Sequence, residues 1–385
     1  MHIINDIQLD YCDVLIKPQT TSVNHRGDVN IKRHFKDLLD FDCCPIMNAN
    51  MTQTGTFEVA EKLIENGMIG CIHKFYTGEQ IKEFLDSGKI GSLGTNKFFI
   101  TIGLRNQTEE LIKLKYSGLD KYFWSILIDV PNAYVPDVEE LVKFVRLEFP
   151  DKIIAVGNVC SGDRTQELIK AGANIIKVGI GPSAVCRTRH TTGCGRPQLS
   201  AVIDCADAAH QVGGLIIADG GFTMIGDFAK AFVAGADICM SGSMFAGCDE
   251  AAGEVIEKMY RTNEYNYNEE SEIINTTTDD QLKNKETHLN YTLYYVPDTP
   301  KYEIKKFKEY YGMSSFRAQC ENYGKKTTTG TSEGVESKLI PYTGSIIDTI
   351  NSIKGGLRST GSYIGAKNIK HFSRQGTFYR TNRVQ

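Results

Sequence analysis

The chain repeats one pattern between residues 45 and 242. A short apolar run is followed by a turn and then, in most units, by a stretch with apolar side chains at helical spacing. Runs that are apolar at nearly every position indicate strands buried on both faces, as in a parallel sheet covered by helices. Eight such units predict an α/β fold of the (β/α)8 TIM-barrel type, with chemistry at the carboxyl ends of the strands. The eight runs are Pro45–Asn48, Ile69–His73, Phe98–Ile102, Ser125–Val130, Ile153–Val159, Ile175–Ile180, Leu215–Ala218 and Ile238–Gly242.

Six of these runs end in residues that can do chemistry. In a closed barrel all strand ends meet at one mouth, so these residues are expected to converge there. Any one of these residues could simply stabilise the turn in which it lies, but six such strand ends together favour a functional site. They are His73-Lys74, Asp129-Val130-Pro131-Asn132, Gly157-Asn158-Val159, the loop from Gly181 to Arg189, Asp219-Gly220-Gly221 and Ser241-Gly242-Ser243.

The loop after the sixth run carries the strongest nucleophile candidate. Cys186 lies beyond Gly181-Pro182, and Arg187 and Arg189 flank it. Positive charge favours the thiolate, which is the form that attacks electrophilic carbon. Free cysteines are usually buried and inert, but the strand, turn and loop context favours a catalytic thiol here.

Glycines at the last two strand ends indicate a bound anion. Gly220, Gly221 and Gly242 let backbone amides approach a ligand closely, and barrels of this type often hold a phosphate after strands seven and eight. We therefore expect a phosphorylated small molecule as substrate.

Composition narrows the class of protein. The chain has 385 residues and a net charge of −4, which gives no reason to expect a nucleic acid or an acidic membrane as partner. Its 11 cysteines lack paired metal spacing, and no run approaches the ~18 apolar residues of a membrane span. No leader is recognisable at the amino terminus. We expect a reduced, cytoplasmic protein without a zinc site.

The regular pattern stops after the eighth run. Residues 259–302 are rich in Asn, Glu and Thr and lack a clear period. We expect a polar insertion there, a surface excursion or a lid, within a single domain of residues 1–385. A lone acid, Glu333, follows a Gly/Lys/Thr-rich loop at residues 324–331. It is either a solvent-exposed residue or a general acid or base carried onto the barrel mouth.

Three motifs together resemble the family of IMP dehydrogenases and GMP reductases, more closely its reductase branch. They are the cysteine loop continuing into Thr192–Ala201, Ala218-Asp219-Gly220-Gly221, and Tyr311-Gly312-Met313-Ser314-Ser315. The likeness runs from Asn5 to Gly365 outside the insertion. No pair of regulatory domains interrupts the barrel, and the Arg-Tyr dipeptide of the dehydrogenase flap is not recognisable before Glu333. Both absences favour the reductase.

The resemblance implies reductive deamination of GMP to IMP and ammonia. Cys186 would attack C2 of the purine and form a thioimidate, and Thr188 with Glu333 would relay the proton that the leaving amine needs. NADPH would supply hydride, with NADH also possible. The resemblance further implies a homotetramer.

The binding residues are likewise implied by the resemblance. For the nucleotide they are Asp219 at the ribose hydroxyls, Gly220, Gly221, Gly242 and Ser243 at the phosphate, Gly312, Met313, Ser314, Ser332 and Gly334 around the base, and Arg187 as a further contact. For the cofactor they are Arg26, Lys74, Asp129, Val130, Pro131, Ile180, Gly181 and, from a neighbouring subunit, Ser359, Thr360, Gly361 and Ser362. For a potassium ion they are the backbone carbonyls of Gly181, Ser183, Cys186 and Arg189.

Five positions depart from the family pattern. Ser183, Ala184 and Arg187 replace Gly, Ser and Thr in the cysteine loop, Thr52 replaces an acid after strand one, and Gly330 replaces an arginine of the reductases. These changes leave open the same chemistry on a deoxy or base-modified purine nucleotide. Glu333-Gly334-Val335-Glu336 with Pro341-Tyr342-Thr343-Gly344 also resembles IMP dehydrogenases. A nucleotide-binding sensor barrel without turnover is the non-enzyme alternative.

Overall fold

The fold is seen in a computed structural model of the chain. The structure describes residues 3–35, 39–89, 97–104, 107–265, 285–288, 291–294, 300–324 and 331–381. Gly330, one of the five departures, lies outside these ranges, and so does most of the expected insertion.

Eight strands form the central sheet, and each is followed along the chain by a helix. The barrel strands are β1 (Ile46–Asn48), β2 (Gly70–Cys71), β3 (Phe98–Ile102), β4 (Ser125–Asp129), β5 (Ile153–Val159), β6 (Ile175–Val178), β7 (Leu215–Asp219) and β8 (Ile238–Ser241). The barrel helices are α1 (Phe57–Glu65), α2 (Gly78–Asp86), α3 (Gln107–Tyr116), α4 (Pro136–Glu148), α5 (Gly162–Lys170), α6 (Gln198–Gln211), α7 (Ile225–Val233) and α8 (Ile346–Ile364).

The sheet closes into a barrel. Its strands are all parallel, and β1 pairs with β8, which pairs with β7, and so on round to β2. A parallel bridge between Met47 and Ile69 then joins β1 to β2. Each predicted run coincides with one barrel strand, which confirms the (β/α)8 fold.

Alternate side chains of the strands fill the barrel. Met47, Phe99, Leu127, Ile175 and Met240 belong to one buried cluster of side chains inside it. The larger cluster of buried apolar residues packs the outer faces of the strands against the helices. Because both faces are buried, the strands read as continuous apolar runs.

Short side chains fix where several helices begin. The Thr56 hydroxyl accepts from Val59 N at 3.2 Å before α1, and Thr77 forms a capping box with Gln80 before α2. The Ser345 hydroxyl accepts from Ile347 N before α8.

Smaller elements surround the barrel. The strands Val14–Ile16 and Phe378–Arg380 pair with each other, as do Arg33–Phe35 with Leu39–Cys43, and Lys285–His288 with Tyr291–Tyr294. The short helices are Thr188–Thr192, Phe316–Tyr323 and Phe372–Gln375, and the 3-10 helices are Tyr11–Asp13, Arg26–Asp28, Asp120–Tyr122 and Ile369–His371. No helix within the described ranges is long and apolar enough to cross a bilayer.

A β-ribbon leaves the barrel after β8. The strand Val255–Tyr265 pairs antiparallel with Pro300–Tyr310, which also pairs with Lys338–Pro341. The sequence of residues 259–302 has no clear period, yet both ends of that segment continue the ribbon, because cross-strand pairing satisfies a backbone whose side chains are largely polar. Residues 266–284, 289–290 and 295–299 lie outside the described part of the chain.

One buried lysine anchors the ribbon to the barrel. Lys308 Nζ donates to the carbonyls of Cys248, Asp249 and Ala251 at 2.8, 3.2 and 2.7 Å. The loop after β8 therefore holds the base of the ribbon, and the ribbon leads directly into Gly312-Met313-Ser314.

Candidate active site

Three polar side chains come together where the Cys186 loop meets the segment after the ribbon. Cys186 Sγ donates to Thr188 Oγ1 at 3.2 Å, and Thr188 Oγ1 donates to Glu333 Oε2 at 2.9 Å. Cys186 and Thr188 lie on the loop after β6, whereas Glu333 is 145 residues from Thr188 along the chain. The arrangement can pass a proton from the thiol through the hydroxyl to the carboxylate.

Backbone pairing holds Glu333 in this place. Arg187 N donates to Glu333 O at 2.6 Å, and Val335 N donates to Val185 O at 2.9 Å, on either side of a bridge between Cys186 and Gly334. A Cβ atom on Gly334 would lie 2.5 Å from Ser315 N. Glycine is therefore required where the two segments meet.

Glu336 ties the same segment to the helix Phe316–Tyr323. Its carboxylate accepts from the backbone N–H groups of Phe316 and Arg317, each at 3.0 Å, and from Ser332 Oγ at 2.7 Å. A carboxylate at a helix amino terminus is favoured by the unpaired N–H groups there. Ser332 also donates to Gly334 O at 2.9 Å, so the turn that carries Glu333 is closed on itself.

A cluster of charged side chains lies inside the barrel at the carboxyl ends of its strands. Lys177 of β6 is opposite Gly157 of β5, which is opposite Asp129 of β4. Gly157 leaves room, since a Cβ there would lie 2.6 Å from Lys177 Cβ. Lys177 Nζ contacts Asp129 Oδ1 at 2.9 Å and Asp219 Oδ2 at 2.8 Å, and Lys74 Nζ contacts Asp129 Oδ2 at 3.2 Å.

Opposite charges keep two members of this cluster, Asp129 and Lys177, ionised. Burial disfavours the charged form of Asp129, but Lys177 and Lys74 outweigh that effect and hold the pKa of Asp129 well below its usual value. Burial likewise opposes charge on Lys177, and the two aspartates outweigh it and raise the pKa of Lys177. Asp129 of β4 and Lys177 of β6 are therefore both charged in the folded protein.

The loops that follow β7 and β8 place glycine backbone at the barrel mouth. Gly220 and Gly221 have φ of +85° and +84°, a conformation that favours glycine. Ser243 Oγ donates to Phe222 O at 3.2 Å and so joins the two strand ends. These loops carry the glycines expected at the phosphate.

Thr52, which replaces an acid of the family pattern, lies beside a residue expected at the base. Its N–H and its hydroxyl approach Met313 Sδ at 3.5 and 3.6 Å. Its hydroxyl is also 3.5 Å from Tyr311 Oη. The loop after β1 therefore packs on the Gly312-Met313-Ser314 segment.

Comparison with known proteins assigns the family. The family profile described as IMP dehydrogenase / GMP reductase domain matches residues 8–288 and 297–384. The chain belongs to the IMP dehydrogenase / GMP reductase family. It is 37% identical over 383 residues to a protein of Vibrio atlanticus named GMP reductase, across 99% of this chain and 96% of that one. The proteins of the same name from Vibrio cholerae and Buchnera aphidicola are 38% and 39% identical, with the same coverage.

Most residues expected from the family resemblance lie at the barrel mouth. The strand-end residues Lys74, Asp129, Val130, Pro131, Asp219, Gly220, Gly221, Gly242 and Ser243 follow or end their strands, and Ile180, Gly181, Ser183 and Arg187 lie in the loop that carries Cys186. Gly312, Met313, Ser314, Ser332 and Gly334 reach the same region through the ribbon, with Gly312 N donating to Val335 O at 2.9 Å.

One group of residues lies elsewhere in the chain. Ser359, Thr360, Gly361 and Ser362 are in the last turns of α8, where a Cβ on Gly361 would meet Val29, just after Arg26–Asp28. The middle of α8 lies at the amino-terminal end of the barrel, because Lys354 Nζ donates to Asn66 O just beyond α1. Within one chain these residues and Arg26 are therefore not brought together with Cys186.

The two arginines beside the thiol do not share one role. Arg189 contacts Asp10 at 3.2 Å and donates to the carbonyls of Ile180 and Arg196, so its charge is paired with the amino-terminal segment. Arg187 is exposed. The charge of Arg189 is therefore shared with Asp10 rather than directed at Cys186 alone.

Two members of the charged cluster had no specific role assigned from the sequence, although Asn158 is among the strand-end residues expected at the mouth. Lys177 lies within a buried strand, and Asn158 contacts both Lys177 and Asp219, at 2.6 and 2.9 Å. A lone lysine in an otherwise apolar parallel strand was the available signal, since buried ammonium groups are almost always paired.

Proposed function

We propose that this chain is a GMP reductase that converts GMP to IMP and ammonia with NADPH. The observation that carries the proposal is the continuous hydrogen-bonded chain from Cys186 Sγ through Thr188 to Glu333 at the barrel mouth. The shared name of the relatives from Vibrio atlanticus and Buchnera aphidicola supports it.

The first step breaks the bond between C2 and the amino group of the purine. Cys186 Sγ forms a bond to C2, and the thiol proton passes to the Thr188 hydroxyl as that hydroxyl gives its own proton to Glu333. The same relay returns a proton to the departing amine, so ammonia leaves and a thioimidate remains on Cys186. Thiol and amino group together supply every hydrogen of the ammonia.

The second step requires hydride at C2. A reduced nicotinamide, when bound, supplies this hydride, after which the C–S bond breaks and Cys186 takes up a proton. Lys74 and Asp129 suit the cofactor, because they form an ion pair at the mouth that remains partly accessible, with side chains 14% and 21% exposed. Val130 and Pro131 follow β4 directly, and Ile180 and Gly181 follow β6 at the same mouth.

The nucleotide would lie across the mouth. Asp219 would accept from the ribose hydroxyls, and the backbone of Gly221 and Gly242 with Ser243 would hold the phosphate. Met313 and the turn that carries Glu333 would surround the base.

A monovalent cation and a neighbouring subunit complete the proposal. The carbonyls of Ser183 and Arg189 each accept one N–H, from Cys186 and Gly193. Each keeps a second lone pair, so the expected set with Gly181 and Cys186 suits potassium. Arg26 and Ser359–Ser362 would reach a cofactor bound to another copy of the chain, which fits a tetramer.

One set of positions favours a second candidate substrate. Ala184 and Arg187 are both exposed on the cysteine loop and replace hydroxyl residues of the family. A deoxy or base-modified purine nucleotide would undergo the same two steps.

Turnover with a panel of purine nucleotides tests the proposal. GMP with NADPH should oxidise the reduced nicotinamide and release ammonia, and Cys186→Ala should abolish both. Cys194→Ala is the matched control, since Cys194 is an exposed thiol eight residues further along and should be dispensable. Reaction only of IMP with an oxidised cofactor would instead assign the dehydrogenase reaction, and activity that survives Cys186→Ala would rule out the thioimidate.

The chain is proposed to be one barrel domain with an insertion carried by the ribbon. Tyr265 and Pro300 pair across the ribbon, so a short turn can bridge them. Replacing residues 266–299 by such a turn should leave a folded, active protein. Insoluble protein would show that this segment is needed for folding.

A further inference from the structure

Lys177 lies between two carboxylates that belong to different parts of the proposed site. Its side chain is 3% exposed, and it contacts Asp129 on one side and Asp219 on the other. Asp129 is the proposed cofactor residue and Asp219 the proposed ribose ligand. A single buried ammonium therefore touches both subsites.

The ammonium has no proton left for a ligand. A lysine carries three N–H donors. They are matched by three acceptors, Asp129 Oδ1 at 2.9 Å, Asp219 Oδ2 at 2.8 Å and Asn158 Oδ1 at 2.6 Å. Lys177 therefore acts on the carboxylates rather than on substrate.

The Asp219 carboxylate is held by one oxygen. Lys177 Nζ and Asn158 Nδ2 both contact Oδ2, the second at 2.9 Å. Within the described residues the hydrogen bonds and ion pairs of this carboxylate all end on Oδ2, so Oδ1 is available to a ligand. A carboxylate fixed through one oxygen presents the other in a defined direction.

We propose that Lys177 is a positioning residue that orients Asp219 toward the ribose hydroxyls and couples the nucleotide subsite to Asp129. The inference rests on the proposed function, because it takes Asp219 as the ribose ligand. Lys177 and Lys74 also balance the charges of Asp129 and Asp219, so loss of Lys177 leaves one carboxylate without its cation.

Lys74 provides a matched control. It contacts the same Asp129 carboxylate, through Oδ2, and also the Asp129 carbonyl at 3.0 Å. In the contacts that the structure records it does not touch Asp219. Lys74→Met therefore removes a similar charge from the cofactor side alone.

Nucleotide affinity, measured calorimetrically without cofactor in Cys186→Ala protein, tests the proposal. The probes are GMP and its 2′,3′-dideoxy analogue. We expect the parent protein to prefer GMP, and Lys177→Met to reduce that preference about tenfold, ~1.4 kcal/mol, by weakening GMP binding. Lys74→Met should leave the preference for GMP within about twofold of that of the parent protein, because Lys74 can affect Asp219 only indirectly.

The other possible results have distinct interpretations. An unchanged preference in folded Lys177→Met protein overturns the proposal. Equal weakening of both nucleotides also overturns it, since that is what a merely structural lysine would give. If Lys177→Met does not fold, the charge-balanced double variant Lys177→Met with Asp129→Asn takes its place and should show the same lost preference. Failure of the unaltered chain to bind or turn over GMP would count against the proposed function itself.

Discussion

Glu333→Gln tests the proton relay with the least structural change. Glutamine has the size of glutamate and keeps an oxygen that can accept from Thr188 Oγ1, which lies 2.9 Å from Glu333 Oε2. The backbone carbonyl of residue 333 still pairs with Arg187 N. What the amide cannot do is take up and return a proton.

The size of the effect follows from what the relay contributes. General acid–base catalysis is typically worth about 10²–10⁴-fold in rate, or ~3–5 kcal/mol of barrier. We expect kcat to fall at least about 100-fold, while KM for GMP stays within about threefold because the carboxylate contacts Thr188 in the relay. Thr188→Val should cause a similar loss, and the double variant should be no worse than either single one, since the two groups act as a unit.

Oxidation of NADPH and release of ammonia are measured in parallel. Glu336→Gln is the control, because Glu336 lies on the same turn but contacts Ser332 and the helix Phe316–Tyr323 rather than Thr188. Its kcat should fall less than about tenfold. A Glu333→Gln enzyme that keeps a tenth of its activity would refute the relay. An equal loss in Glu336→Gln would assign the defect to displacement of the turn.

Other predictions concern the supports of the site. Gly334→Ala should lower kcat more than about tenfold without unfolding the barrel, since its Cβ would force the turn away from Ser315; circular dichroism checks the fold. Lys308→Met removes the hydrogen-bond donor of three backbone carbonyls and should lower the free energy of unfolding, measured in urea, by about 2–4 kcal/mol. Lys306→Met, at an exposed lysine of the same strand, should change that free energy by less than about 0.5 kcal/mol. A hydrogen bond to Asp237 raises the pKa of His210. The contribution of this pair to stability is therefore fully present below the unfolded-state pKa of about 6.5, and it is lost as the pH rises through the raised pKa of the folded state. The difference in melting temperature between the unaltered protein and His210→Gln should therefore narrow from pH ~6 to pH ~9.

The barrel was predictable because its signal is local and repeated. Each strand is buried on both faces, so an apolar run marks it without knowledge of its partner. The ribbon gave no such signal. Its strands are separated by residues 266–299, and its side chains include exposed Met259, Tyr302 and Ile304, so pairing rather than burial defines it. A pattern of burial cannot reveal such strands.

The candidate site was predictable where it lies at strand ends and harder to predict where distant segments meet. Asp219 and the glycines after β7 follow directly from the strand pattern. The contact between Thr188 and Glu333 depends on backbone pairing of Cys186 with Gly334 across more than a hundred residues. Only the resemblance to the family linked these two side chains before the fold was known.

Charges near Cys186 show why sequence distance is a poor guide to electrostatics. Arg189 is three residues from the thiol, yet it pairs with Asp10. Lys177 is nine residues away. Because side chains alternate between the two faces of a strand, its side chain points into the barrel, where its charge pairs with Asp219. The contacts that remain at the thiol are the hydrogen bonds through Thr188 to Glu333. We therefore expect Cys186 to be activated by transfer of its proton along this chain rather than by Arg189, so that Arg189→Met should affect folding of the loop more than the amine-release step.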